Sequence, residues 1–444
     1  MLKKIICIIF SIILIFSVSI PAFSYTPTGL NLTANSALLV SLDNDVVIYS
    51  KDENKKVYPA SITKIMTVLL MLESDLYDPE APVVMTEEVK KLISGTGSSV
   101  STLAVGEQIR MIDLAYYVLM SSAGDCAYLL SITFGNSVDN FVKMMNDRAA
   151  KLGLKGTHYE NPVGLHSENN YTTAKDTYIL AKEALKNKTF KTICETARYT
   201  VPETNMSKPR TLSTTNFLQD SSTNYFYQYA KGVKTGFTDE AGRCLVSTAS
   251  YNGYNYMCIL FGCPANLGRR VEFEESRELY RWAFNNFRYK TVAETTSPVY
   301  ELPVDLSFST DYVSLYVKES FITVLPKDAD DSTISIKPNI KKGTVIDAPI
   351  KKGQVLGTAD IYYAQKKIGT VKLVSKENIE SSFILIAVRG VKRFFASKYM
   401  KVVYVLIGVA LIAFVIGVIR LNKQRFKKKK KIKYIPMKDE DWKK

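Results

Sequence analysis

Histidine is almost missing from this chain: the 444 residues hold two, His158 and His166, both in one loop-like segment. A Ser-His-Asp triad needs an imidazole beside its nucleophile, and no GxSxG elbow marks such a serine here. The same scarcity disfavours a zinc centre, since neither HExxH nor a close Cys/His cluster occurs. Of six cysteines, Cys7 lies near the start; Cys126, Cys194, Cys244, Cys258 and Cys263 follow without regular spacing. Five of them make an odd number, and a disulfide framework is not expected in so large a chain; they read as buried free thiols. A phosphate loop is absent as well: Lys234-Thr235 fits its last positions, but residues 225–231 hold no glycine to build it. With 15 Pro, 22 Gly and 46% hydrophobic residues the chain is neither disordered nor collagen-like. Its length suits two or three domains.

Negative charge is also short, 43 Asp+Glu against 58 Lys+Arg, for a net charge of +15. That balance invites a nucleic-acid reading until the charges are located. Residues 420–444 hold twelve Lys+Arg and three acids, a net +9, and residues 1–24 add Lys3 and Lys4. Only +4 is left for everything between, too little and too dispersed for a nucleic-acid partner.

The ends explain the rest. In residues 1–24 the two lysines precede an apolar stretch from Ile5 and then Pro21-Ala22-Phe23-Ser24, the pattern of a secretory signal peptide. Residues 402–419, VVYVLIGVALIAFVIGVI, are uncharged throughout and just long enough to be a transmembrane helix. No polar face interrupts them. The lysine-rich tail, 420–444, is then expected in the cytoplasm, with the body outside the cell membrane. Between body and span, residues 381–401 carry Arg389, Lys392, Arg393, Lys398 and Lys401 interleaved with Val388, Val391, Phe394 and Phe395. This fits a basic amphipathic segment on an anionic membrane, and it fits an ordinary solvated helix almost as well.

The body divides in two. Across 25–290 strands and helices mix. A hairpin is expected from residues 36–49 around Asn44-Asp45, helices over 61–73, 111–132, 139–152 and 173–186, and a second hairpin across Asn252-Gly253. A helix over about 267–286 closes the region. Strands at the ends with helices between predict an α+β domain, one antiparallel sheet covered by helices. Residues 291–380 alternate short Val/Ile/Tyr strands with turns such as Lys341-Lys342-Gly343 and Lys351-Lys352-Gly353, a small all-β domain.

One chemistry remains open to a serine without histidine. Pro59-Ala60-Ser61-Ile62-Thr63-Lys64 precedes an apolar run, and Pro and Ser favour a helix start. Positions three apart share a helical face, so Ser61 and Lys64 can meet at the helix's positive end. Burial and a neighbouring cation would keep such a lysine neutral enough to act as a base. A second element, Lys234-Thr235-Gly236 followed by Phe237, offers a cation and a hydroxyl on a strand edge for a substrate carboxylate. Its glycine lets a substrate backbone come close. Ser122-Ala123-Gly124 lies between the two.

The order SxxK, SxN-like, KTG resembles the penicillin-recognising serine enzymes. The wider context is most similar to the low-molecular-weight D-alanyl-D-alanine carboxypeptidases. It runs through PASITKIMT, Gly97-Ser98-Ser99, THYENPVGLH, YTTAKDTYILAKEAL and KGVKTGFTDEAGRCLV, and on through Ala348-Pro349 in the β-rich region, covering roughly 30–380. The resemblance implies a β-lactamase/transpeptidase-like catalytic domain, a small all-β domain, and no metal or cofactor. It implies Ser61 as nucleophile, Lys64 as its base and Ser122 as a proton relay. Lys234 and Thr235 would hold the terminal carboxylate, and the N–H groups of Ser61 and Phe237 the oxyanion. Peptidoglycan stem peptides ending in D-Ala-D-Ala would be substrates and β-lactams inhibitors. His158, His166, Asn161 and Asp176 match segments that shape loops, and Asn216 matches one near the cleft.

The sequence departs from the family at Gly124, where the second motif usually has Asn, a residue that orients the catalytic lysine and bonds the substrate amide. A benign packing change and a slower or altered turnover both fit. A penicillin-binding wall homologue with weak or no peptidase activity is therefore the alternative. A β-lactamase fits less well, because no Glu followed three and four residues later by Leu-Asn lies between Gly124 and Lys234.

Overall fold

The computed structural model describes residues 30–429. The expected signal peptide and the end of the lysine-rich tail lie outside them. The chain forms two compact units, one reaching Val292 and including Ile322–Thr333, the other made of Ala293–Phe321 and the chain from Ile334 onward.

The first unit is built on five antiparallel strands, β1 (Ser36–Ser41), β2 (Val47–Lys51), β3 (Ala230–Thr238), β4 (Gly242–Tyr251) and β5 (Tyr254–Cys263), in the order β2-β1-β5-β4-β3. Both expected hairpins form. Asn252 and Gly253 take φ of +49° and +81°, the left-handed pair a two-residue hairpin turn needs. Alternation along the strands then decides what packs where. Leu38, Val40, Val246, Met257 and Ile259 face a helical layer, whereas Ala37, Leu39, Leu245, Tyr256 and Leu260 face the helix α4 (Val271–Asn286) on the other side. Burying Phe273, Leu279 and Tyr280 of α4 contributes about 1.5–3 kcal/mol each. The buried Tyr280 hydroxyl is satisfied by Ser247 Oγ at 2.9 Å and by the Cys258 N–H at 3.1 Å. All five described cysteines are buried and unpaired.

At the centre of the helical layer is α1 (Lys64–Leu72), buried from Lys64 to Met71. A helix this apolar, with no solvent-facing polar side, is a core helix. The expected helix over 111–132 is in fact two, α2 (Met111–Met120) and α3 (Gly124–Gly135). The chain breaks at Ser121–Ala123 because Ser122 adopts φ +60°, which no right-handed helix accommodates. Continuous apolar periodicity hid that break.

The second unit holds six strands in the order Ile334–Pro338, Val355–Tyr363, Lys366–Ser375, Tyr312–Val317, Pro298–Asp305, Ile346–Asp347, antiparallel except for the last pair. Gly343 and Gly353 turn the chain at φ +82° and +81°. Strand Phe321–Pro326 pairs instead with Phe287–Ala293, so the segment after Phe321 leaves the β-rich unit for the first one. Beyond the sheet come α5 (Phe383–Phe395) and α6 (Lys398–Lys429). Arg389 ties α5 to the strands through Asp347, at 2.6 and 2.8 Å, and Asp305. By length and composition α6 can cross a membrane.

Candidate active site

Ser61 sits in a tight 3-10 turn, Ala60–Thr63, which runs from Pro59 into α1. One turn later Lys64 brings Nζ to 2.9 Å from Ser61 Oγ. Lys64 is fully buried, and desolvation drives its amine well below the usual lysine range. Repulsion from Lys234 lowers it further, while Asp125 and Cys126 push it back. Its second partner is the Val163 carbonyl, which accepts from Nζ at 2.7 Å.

The loop that presents this carbonyl is fixed by its own asparagine. Asn161 Oδ1 accepts from the N–H groups of Val163 (3.2 Å), Gly164 (2.7 Å) and Leu165 (3.0 Å). Thr67, one turn beyond Lys64 on α1, donates to the Pro162 carbonyl at 2.7 Å. Two polar residues of the core helix thus meet one loop.

Ser122, strained in the gap between α2 and α3, is buried and borders the same cavity as Ser61. Gly124 opens α3 and donates its N–H to the Ser99 carbonyl at 2.7 Å. A Cβ on Gly124 would stand 2.6 Å from Ser98 Oγ, 2.9 Å from Ile93 Cδ1 and 3.0 Å from Val163 Cγ1. The space of a side chain at 124 is filled by its neighbours.

The third element lies on β3, the edge strand, where Lys234 pairs with Val246, Thr235 with Leu245 and Gly236 with Cys244. Lys234 is buried, donates to the Thr235 carbonyl at 2.9 Å, and is pulled down to about 7 by desolvation, with a small opposing effect of Cys194. Thr235 Oγ1 shares a 2.6 Å hydrogen bond with Thr215 Oγ1. A Cβ on Gly236 would lie 3.1 Å from the Ser61 nitrogen, so the strand rests directly on the serine turn. Phe237 stands half-exposed at the mouth, with the Arg243 guanidinium 5.3 Å from its ring.

Ser61, Ser122, Thr235, Gly236 and Phe237 all border one cavity of about 510 Å³. Lys64, Lys234 and Gly124 stand behind that lining. Ser98, His166, Thr215 and Arg270 are among the further residues that line it, and none of the four was singled out as a substrate contact. Arg270 is held by Glu272 Oε1 at 2.6 Å, with its guanidinium 4.9 Å from the Phe217 ring. His166 packs edge-on against Tyr58. No periodicity or spacing flags any of the four, since all lie in turns or loops. The other loop residues stay structural in their contacts. Asp176 accepts from the Gly156 N–H and Thr157 Oγ1 at 2.7 and 2.8 Å, and His158 Nδ1 meets the Asn169 carbonyl at 2.7 Å. Asn216 is buried and caps the Leu218 N–H, leaving Thr215 to reach the site.

A serine hydroxyl on a buried amine, a second serine beside it and a lysine–threonine strand edge are the parts of a serine acyl-transfer site. Residues 23–265 match the D-alanyl-D-alanine carboxypeptidase family, and residues 287–381 match the C-terminal domain of penicillin-binding protein 5. The chain belongs to the D-alanyl-D-alanine carboxypeptidase family. It is 30% identical over 351 residues to D-alanyl-D-alanine carboxypeptidase DacF of Bacillus subtilis, covering 79% of this chain and 86% of that one. It is 28% identical over 363 residues to DacC of Escherichia coli, covering 79% and 85%. Penicillin-binding protein 5 from Haemophilus influenzae shares the fold with a TM-score of 0.63 at 24% identity, over 80% of this chain and 99% of that one. The Streptomyces K15 DD-transpeptidase superposes with a TM-score of 0.53 at 27% identity, over 58% and 98%.

Proposed function

We propose that this chain is a serine-type D-alanyl-D-alanine carboxypeptidase that removes the terminal D-alanine from peptidoglycan stem peptides. The observation that carries the reading is the 2.9 Å approach of a buried Lys64 amine to Ser61 Oγ. A neutral amine there takes the hydroxyl proton as Oγ attacks the penultimate D-alanine carbonyl. The tetrahedral oxyanion is received by the N–H groups of Ser61 and Phe237. As it collapses, the bond to the terminal D-alanine breaks and the leaving amine takes a proton relayed through Ser122. Water, deprotonated in turn, then hydrolyses the acyl-enzyme and frees Ser61. Thr235 and Arg270 on the cavity lining, with the buried Lys234 behind it, suit the substrate's terminal carboxylate. Gly236 lets the strand lie directly against the turn that carries Ser61.

Export by the leader and anchoring by α6 would place this site outside the cell membrane, with the basic tail in the cytoplasm. The test is release of free D-alanine from a pentapeptide ending in D-Ala-D-Ala, abolished in Ser61→Ala. Labelling of Ser61 by penicillin without D-alanine release would favour a binding homologue, and rapid turnover of penicillin a β-lactamase.

A further inference from the structure

Gly124 has no side chain for the role that the resemblance gives to an asparagine at its position. The family's asparagine at this position serves the lysine and the substrate amide. Lys64 donates to the Val163 carbonyl at 2.7 Å. The substrate's share has no side chain at 124 to meet it. The atom nearest to where that side chain would start is Ser98 Oγ, 2.6 Å from an ideal Cβ.

Ser98 is well placed for such a role. It borders the cavity that holds Ser61 and Ser122. Its hydroxyl has one weak partner, the Ser99 carbonyl at 3.4 Å, so its donor is available. Its backbone, by contrast, is anchored on both sides. Thr96 Oγ1 accepts from the Ser98 N–H at 3.3 Å, and the Ser99 carbonyl accepts from Gly124 at 2.7 Å. Two residues on, the buried carboxylate of Asp125 accepts from the Ser101 N–H (2.8 Å) and Oγ (2.6 Å) and from Lys90 Nζ (2.7 Å). The loop is stapled to α3 at the helix's first turn.

Strand geometry identifies the group Ser98 would meet. β3 has a free edge, and a peptide laid along it as an added strand presents alternate residues to it. If the N–H of the scissile D-alanine points at β3, the carbonyl of the preceding residue points away, toward the opposite wall. Ser98 is on a wall of the cavity that β3 does not form. Resting on the carboxypeptidase reading, we infer that the Ser98 hydroxyl is the substrate-binding donor to the acyl carbonyl preceding the scissile residue, the role a side chain at 124 gives up.

The test compares Ser61 acylation of the full-length protein by benzylpenicillin, which carries an acylamino carbonyl, and by 6-aminopenicillanic acid, which lacks it. Rates are normalised to active sites, so a partly unfolded variant does not distort their ratio. Ser98→Ala is expected to slow benzylpenicillin roughly five- to tenfold, the range of one hydrogen bond, and to leave 6-aminopenicillanic acid within about twofold. An equal fall for both compounds, or no fall for either, overturns the assignment. Failure of the carboxypeptidase reading shows separately, as acylation of Ser61 by penicillin with no release of D-alanine from a pentapeptide ending in D-Ala-D-Ala.

Discussion

A Cβ built on Gly164 would lie 1.8 Å from the Ala60 carbonyl oxygen, one residue before Ser61. Gly164 holds φ at +88° next to the carbonyl of Val163, and Ala60 itself sits at φ +45°. The turn that carries Ser61 and the loop that holds Lys64 are therefore seated on each other, backbone against backbone, with no flexible side chain to yield.

Gly164→Ala should consequently damage the site more than its size suggests. The left-handed conformation alone costs an L-residue about 1–2 kcal/mol, and the collision forces one backbone to move. A shift of the order of an ångström at Ser61 or the Val163 carbonyl should slow acylation by penicillin roughly a hundredfold. Stopped-flow acylation and thermal unfolding check both parts, and an unchanged acylation rate would show that the loop relaxes elsewhere.

The two buried lysines set the expected pH dependence. Carboxylate binding needs protonated Lys234, whose value is about 7, so kcat/KM for peptide should fall as pH rises through about 7. Nucleophile activation needs neutral Lys64, which gives a rising acid limb. Lys234→Arg, with a guanidinium that does not titrate in this range, should remove the alkaline limb whatever its effect on the plateau. The sign for stability is opposite to that of an ion-paired lysine. Between about 7 and the ordinary 10.5, the unfolded chain binds a proton at position 234 that the folded one does not. That contribution to stability therefore grows with pH across the window and is lost as pH falls toward 7. A pH–rate profile and denaturation at three pH values test the pair.

Asp125 is a carboxylate with no exposure, paired with Lys90 and bonded to both polar groups of Ser101. Asp125→Asn loses the charge while keeping the shape, and should cost about 1.5–3 kcal/mol in thermal or urea unfolding. It should also speed hydrogen exchange across residues 96–101, because that loop is held to α3 through this carboxylate. Exchange unchanged there would mean that the Gly124–Ser99 bond suffices.

Arg270→Ala should lower kcat/KM for a D-Ala-D-Ala peptide about tenfold while sparing its C-terminal amide, since only the free acid offers the guanidinium a charged partner. The acid-to-amide ratio is the measurement. Equal losses on both would assign Arg270 to holding Phe217 and Glu272 instead.

The chemistry-bearing residues were legible because their spacing is local. Ser61 and Lys64 are three apart on one helical start, and Lys234 to Gly236 lie on consecutive strand positions. The Asn252-Gly253 hairpin was equally plain, because turn chemistry is written in two residues. Less was visible where a segment's role depends on a distant neighbour. Apolar periodicity across 111–132 concealed the break at Ser122, and strand Phe321–Pro326 carries the alternation of the β-rich region although it pairs with Phe287–Ala293.

The sequence by itself determined the family, and it pointed to Ser61, Lys64 and the Lys234–Gly236 strand as the candidate site, since each depends on residue type at short separation. Tertiary structure alone decided which atoms surround position 124, where no asparagine stands. The Val163 carbonyl and the Ser98 hydroxyl come from loops 39 residues after and 26 before that position. A backbone carbonyl has no signature in a sequence, and whether a glycine is a loss or a fit depends on the atoms packed against it.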